Sequence, residues 1–383
     1  MHAMIVKEFR QMRRDRRTVA LMVGLPILLL VVFGYAARFD VTTVATAVVG
    51  PDAAALSSEL PAFYDVVDVE PTADAGVAED MLRNAEVGAA FVTGQQQVTL
   101  LIDGSELFTA ESTLRQVPPG VRPDVLFNPG LDTSAVMVPS LIGLIMLFVG
   151  TVITSLGVVR EREQGTLEQL AVMPLRPLDV IVGKIAPYFV VAVLDLVVVT
   201  AAGLLLFDVP FAGSALMLVA FGVVFLFVVL GIGVAISTVS QSQGEAIQLA
   251  IMVMLPQVML SGMIFPLESM APGVRWIGYL LPLTWFVAGM RGVFLRGSDA
   301  VVLLPALGVL VLMAVVVFGV ALVRFRRDLA PKQSADGADG ARGGPGVGSS
   351  GPGVGSSRPA PAAAGGTGTD GGATGTDEAG RGS

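Results

Sequence analysis

The chain has 383 residues, of which 53% are hydrophobic and only 15% charged, with a net charge of -8, a mean hydropathy of +0.74 and no cysteine. A chain this apolar reads as an integral membrane protein rather than a soluble domain, and a nucleic-acid partner is not implied by its charge. The missing cysteines exclude disulfides and thiolate metal sites, and the single histidine, His2 at the N-terminus, excludes a Ser/His/Asp set, so no catalytic residue and no metal ligand is expected from these residue types.

Residues 1–17 place Ile5, Val6, Phe9 and Met12 in one stripe and Lys7, Arg10 and Arg14 on or near the other side. That is the pattern of an amphipathic helix lying on the cytoplasmic membrane surface, a disordered basic leader being the alternative. Residues 18–37 carry no charge, and about 20 apolar residues cross a hydrocarbon core of roughly 30 Å. This is the first expected span; a secretory signal shares the pattern, but its apolar core is usually only about 7 to 15 residues.

From Arg38 to Thr133 the character changes, with 15 Asp or Glu against Arg38, Arg83, Arg115 and Arg122. Periodicity predicts strands over 44–49, 64–69, 87–92 and 98–102 and helices over 52–60, 75–84 and 105–116, a small α/β domain filling 38–134. Asp65 with Asp68, or Glu79 with Asp80, reads either as a cation site or as solvated surface; oxygen-ligand spacing of the calcium-loop kind is missing.

Five further apolar runs follow at 135–159, 185–207, 213–236, 246–263 and 300–323, within a transmembrane region 135–328. The fold class expected is an α-helical polytopic membrane protein with six transmembrane helices and a small α/β extracytoplasmic domain between the first and second. Bases cluster before span one, between spans two and three (Arg160, Arg162, Arg176, Lys184) and after span six (Arg324, Arg326, Arg327, Lys332). All three clusters fall on one side of a six-span alternation, so both termini are expected in the cytoplasm and the α/β domain outside. Arg275, Arg291 and Arg296 in the last outer connection weaken that count without reversing it.

The stretch 160–184, REREQGTLEQLAVMPLRPLDVIVGK, is charged and punctuated by Gly and Pro. Thr166 is placed to cap a short helix, Gln169 stands at the third position of a capping box, and Leu167, Leu170 and Ala171 share a face before Pro174 ends it. On spacing alone this is either a plug offered to a soluble partner or an ordinary loop between helices. Arg160 to Leu170, with Pro174 and Gly183-Lys184 after it, resembles the signature of ABC-2 type permeases, the membrane subunits of ABC exporters. In that family the segment is a coupling helix seated in a groove of the ATPase, so the resemblance implies ATPase coupling through Glu161, Glu163, Gly165, Thr166, Leu167, Glu168 and Leu170. Leu101-Ile102-Asp103-Gly104-Ser105 resembles a turn of the branch with a large extracytoplasmic loop between the first two membrane helices.

Asp195, near the middle of an apolar run, is a costly carboxylate and the candidate for the translocation path. Three roles are open to it: lining the route, coupling to protons, or bonding across a helix interface. Gln248 and Gln257 invite the same readings, and Gly231-Ile232-Gly233 is a packing feature. The connection 264–299 holds two Pro-flanked segments with Trp276, Tyr279 and Trp285 and reads as re-entrant pieces at the outer interface or as an interfacial belt. Residues 329–383 turn to Gly, Pro, Ser, Ala and Thr, a disordered cytoplasmic tail.

No Gly-x-x-x-x-Gly-Lys-[Ser/Thr] loop is present, so the chain binds no cofactor of its own, and ATP and Mg belong to a partner ATPase. The resemblance implies a plasma-membrane permease subunit, not itself an enzyme, that exports a hydrophobic or amphiphilic substrate such as a drug, antibiotic, lipid or lipid-linked glycan. It implies two copies of the ATPase subunit, and a homodimer or a heterodimer with a sister permease in the lipid bilayer. The rival is a membrane-anchored ligand-binding or cell-envelope interaction protein without transport activity.

Overall fold

The computed structural model describes residues 41–94, 96–164 and 177–329, with isolated positions between 20 and 34. The amphipathic helix expected over 1–17, most of the first expected span, residues 165–176 and the tail from 330 lie outside the described residues.

The α/β domain runs β1 (Val44–Val49), α1 (Ala53–Glu59), β2 (Tyr64–Glu70), α2 (Ala75–Arg83), β3 (Ala89–Val92), β4 (Thr99–Asp103), α3 (Leu107–Arg115) and β5 (Arg122–Leu126). The sheet order is β2-β1-β3-β4-β5, with β3 and β4 antiparallel and the other pairs parallel. Each parallel pair needs a crossover, which α1, α2 and α3 supply. Alternate residues fill two cores: Val48, Phe91, Leu100 and Ile102 on one face, and Ala47, Val49, Ala90 and Leu101 against Ala78 and Leu82 of α2 on the other. Asp74 caps α2, its Oδ1 accepting from the Gly76 and Val77 amides.

The strand β5 was not expected, because Pro123 and two charges interrupt its apolar pattern. It is an edge strand, so only one side need supply ladder donors and Pro123 is tolerated. Its pairing begins where the Arg122 amide donates to the Val98 carbonyl at 2.9 Å.

Five helices are long and apolar enough to cross a membrane: α4 (Thr133–Glu163), α5 (Pro177–Leu206), α6 (Ala215–Val239), α7 (Gln243–Leu260) and α10 (Ala300–Leu329). Between the last two lie α8 (Pro272–Tyr279) and α9 (Pro282–Arg291), the latter continued by a π-helical turn, Gly292–Arg296. They are bent by 74° to each other, and counted as one broken span they bring the total to six among the described residues. The protein is therefore mostly helical and multi-pass, with a small α/β domain ahead of α4.

Several helices outlast their apolar runs. Arg160 to Glu163, expected in the loop, form the last turn of α4, and α5 starts at Pro177 well before Ile185. Arg and Glu are good helix formers, and proline suits a first helical turn.

The helix α6 is the hub, hydrophobic on every side and buried at Phe221, Phe225, Leu226, Val228, Val229 and Leu230, as an all-apolar helix must be. Phe225 stacks on Phe286 of α9 at 4.3 Å between centroids. Its two adjacent glycines serve different neighbours. A Cβ on Gly233 would stand 2.8 Å from Thr154 Cβ and 2.9 Å from the Thr151 carbonyl of α4, whereas one on Gly231 would stand 2.7 Å from Val317 Cγ1 of α10. Small residues thus let three helices approach closely where lipid gives no hydrophobic drive to association. Gly233→Leu should lower the unfolding midpoint in detergent by an overpacking cost of about 1–3 kcal/mol. Gly308→Leu, where nothing lies within 4 Å, should not; equal midpoints for the two variants would contradict this packing.

Candidate functional site

The end of the spans far from the sheet is knitted by the last turn of α4. Arg162 Nη1 donates to the carbonyls of Ser237 and Ser240 at 3.0 and 2.9 Å, the terminal carbonyls of α6 that lack an intrahelical partner. A cation there also complements the helix dipole. The next residue, Glu163, accepts from the Gln243 amide at 3.0 Å and from Gln243 Nε2 at 2.6 Å. Gln243 opens α7, behind the cap formed by Ser242 Oγ, which accepts from the Glu245 amide. Two consecutive side chains therefore tie the chain entering the 165–176 segment to the end of one neighbour and the start of another. Glu161 is half-buried in the same turn. Gly165, Thr166, Leu167, Glu168 and Leu170 lie outside the described residues.

Within the membrane region Asp195 stands on α5, beside the Leu196 that packs on Gly222 of α6. It is half-buried, and its Oδ2 is buried without a hydrogen-bond partner among the described residues, as are Oε1 of Gln248 and Gln257 on α7. Unpaired buried acceptors are uncommon and costly away from water.

The other end, beneath the sheet, holds a polar joint that the sequence reading did not assemble. Strand β4 ends at Asp103, whose Oδ1 accepts from the Ser105 amide at 2.8 Å and closes the turn into α3. Gly104 is needed there, since a Cβ would fall 2.8 Å from the Leu126 carbonyl and 2.9 Å from that of Asn128. Asp103 Oδ2 lies 3.4 Å from Arg296 Nη1, with side chains only 4% and 8% exposed. Burial pushes the Asp103 carboxyl up, against the pull of the Arg296 guanidinium. Three residues on, Glu106 pairs with Arg291 at 3.7 Å.

Arg291 also donates to the carbonyls of Gly262 and Met263, just past α7. Arg83, at the end of α2, completes the joint: its Nη1 donates to the Arg296 carbonyl at 3.1 Å, and its own carbonyl accepts from Ser298 Oγ at 2.6 Å. A cavity of about 230 Å³ runs along the joint, lined among others by Glu86, Asp103, Glu106, Glu268, Arg275 and Arg296. The joint was legible only as an anomaly, three arginines in a connection where bases are not expected.

The aromatic residues expected at the interface occupy the bend. Trp276 and Tyr279 are exposed and Trp285 is half-buried. Trp285 Nε1 donates to the Tyr279 carbonyl at 2.8 Å, and the Tyr279 hydroxyl accepts from Arg275. The Trp285 bond joins the two arms of the bend, as does Thr284 Oγ1, which donates to the Gly278 carbonyl at 2.6 Å, whereas the Arg275–Tyr279 contact lies within α8.

Comparison with known proteins shows the family of the chain. The family model described as ABC-2 family transporter protein matches residues 16–323. The chain belongs to the ABC-2 transporter family. Among its relatives, the Escherichia coli (strain K12) protein called "Probable multidrug ABC transporter permease YbhS" is 27% identical over 367 residues, covering 85% of this chain and 97% of the relative. "Probable multidrug ABC transporter permease YbhR" of the same strain is 28% identical over 359 residues with the same coverage. "Inner membrane transport permease YhhJ", also of that strain, is 32% identical over 216 residues, 53% of this chain and 54% of the relative. ABC-2 permeases work with an ATPase subunit, and the relatives here are permeases, so the chain is a multi-pass ABC permease rather than an ATPase.

In this ABC-2 chain the signature-bearing stretch is rooted by Arg162 and Glu163. Gln243→Leu should therefore free the end of α4 and speed tryptic cleavage after Arg160 and Arg162 several-fold in detergent, whereas Gln243→Lys, able to pair with Glu163, should not. Identical cleavage rates for the Leu variant and wild type would contradict the anchoring.

Proposed function

We propose that the chain is the membrane subunit of an exporter that moves hydrophobic or amphiphilic molecules outward across the plasma membrane, using ATP hydrolysed on two partner ATPase subunits. It acts as a homodimer or with a sister permease, both termini are cytoplasmic, and the α/β domain stands outside. The observation that carries this reading is the anchoring of the end of α4 at Arg162 and Glu163, from which the chain enters residues 165–176. Whatever pushes on that segment pushes on α4 directly, on α6 through Arg162 and on α7 through Glu163 and Gln243. A soluble partner docked there gains a lever on three spans at once. The matching signature positions Glu161, Glu163, Gly165, Thr166, Leu167, Glu168 and Leu170 then form the docking element.

The orientation is supported by the fate of the bases that weakened the charge count. Arg291 and Arg296 are both held in ion pairs with carboxylates of the α/β domain, and Arg275 is tied to Tyr279. Paired in this way they are accommodated on the outer side, while the denser clusters before span one, around 160–184 and after span six set the orientation. An amphiphilic cargo is supported by the multidrug names of the relatives and by the unpaired acceptors of Asp195, Gln248 and Gln257 within the spans. The bent pair with Trp276, Tyr279 and Trp285 would sit at the outer interface as a re-entrant element near the exit.

The test is reconstitution of the full chain with its ATPase subunit in vesicles of phosphatidylethanolamine and phosphatidylglycerol. The probes are a lipophilic cationic dye and a fluorescent phospholipid. Wild type should move at least one probe in an ATP-dependent way, and Gly165→Pro combined with Glu168→Arg should cut that movement at least tenfold while the protein remains in the membrane. Undiminished movement by the variant would refute the docking role. A chain that leaves detergent without any ATPase would instead indicate a membrane-anchored receptor.

A further inference from the structure

The joint between the α/β domain and the bent helix pair has features that a mere brace lacks. Its two ion pairs, at 3.4 and 3.7 Å, are longer than the roughly 2.7–2.9 Å of a good charge-assisted bond. Both arginines keep a buried Nε with no hydrogen-bond partner among the described residues. The Asp103–Arg296 pair is buried, whereas the Glu106 side chain is 34% exposed; a buried pair of imperfect geometry adds little stability, because desolvation consumes the Coulombic gain, and its best-attested use is to specify one arrangement over another. The cavity of about 230 Å³ beside them has room for several water molecules, so the charges can be rehydrated if the two sides separate.

The arginines also sit on a segment suited to movement. Arg291 ends α9 and Arg296 ends the π-helical turn that follows, an irregular winding found mostly at functional places. Gly297, at φ +60, closes the turn in the left-handed region, and the 74° bend lies at the other end of α9. The Phe294 carbonyl accepts from the Ala212 amide, so movement of the turn would be felt in the connection between α5 and α6. On the sheet side, Asp103 and Glu106 flank a single turn, so both pairs part or hold together.

We propose that the α/β domain is a latch on the bent helix pair: Asp103–Arg296 and Glu106–Arg291 hold the outer end of the spans shut at rest and separate when cargo leaves. Asp103 and Glu106 are positioning residues, acting on the pathway through the two arginines. This rests on the permease reading and adds to it a closed resting state set by the extracytoplasmic domain.

The test uses the full chain with its ATPase subunit in the same vesicles, loaded with the lipophilic cationic dye and kept without ATP. Asp103→Asn with Arg296→Met removes both charges, while the Asn oxygen still accepts from the Ser105 amide. This variant should keep the wild-type unfolding midpoint in detergent and leak dye without ATP at least fivefold faster than wild type. Arg296→Lys, which retains the pair, should stay close to the wild-type leak. A folded neutral variant as tight as wild type would overturn the latch. A neutral variant melting several degrees lower would mark the pair as a structural brace and overturn it equally. If wild type itself moves neither probe when ATP is supplied, the permease reading fails instead.

Discussion

The hydrocarbon core offers no water to a backbone amide, and this one constraint sorts everything else in the chain. The spans satisfy their peptide groups internally, meet through small residues such as Gly231 and Gly233, and leave polar side chains few places to be. Polar contacts accordingly gather at the two ends of the bundle. At one end Arg162 and Glu163 grip Ser237, Ser240 and Gln243; at the other Arg83, Asp103 and Glu106 meet Arg291, Arg296 and Ser298. Between them, α6 packs against α4, α5, α9 and α10, with one hydrogen bond from Thr151 Oγ1 of α4 to the Val229 carbonyl.

How much of this could be read from residues depends on how local each feature is. Apolar runs announce spans, because length and hydropathy are properties of a continuous stretch; five of them recur as α4, α5, α6, α7 and α10. Strands β1 to β4 and their helices were visible through alternation, whereas β5 was hidden by Pro123, a residue whose tolerance depends on the strand lying at an edge. Helix ends ran past the apolar runs because Arg160 to Glu163 favour helix even in water. The Asp103–Arg296 pair joins residues 193 positions apart and leaves no periodic trace. Only the turn at Asp103 and the misplaced arginines hinted at it, and neither hint names its partner.

Of the residues expected to matter, Glu161 and Glu163, the first of the signature positions, sit at the end of α4. Asp195 is an isolated half-buried carboxylate, and Trp276, Tyr279 and Trp285 surround a bend. The resemblance read in Arg160 to Leu170 agrees with a family match that runs from residue 16 to 323. What the resemblance could not convey is that Glu163 has a partner in Gln243, on a different helix. That contact joins the end of α4, where the chain enters residues 165–176, to the start of α7. An ATPase at one end and an α/β latch at the other would then bracket the same helices, one driving them and the other setting their rest position.

The central claim is that the signature segment faces the cytoplasm and the α/β domain faces away from it. The absence of native cysteine makes the most direct measurement simple: Glu168→Cys and, separately, Glu111→Cys, each labelled in intact cells and in inverted vesicles with a membrane-impermeant maleimide. The account predicts labelling at 168 only in inverted vesicles and at 111 only in intact cells. Labelling at 168 in intact cells would contradict it.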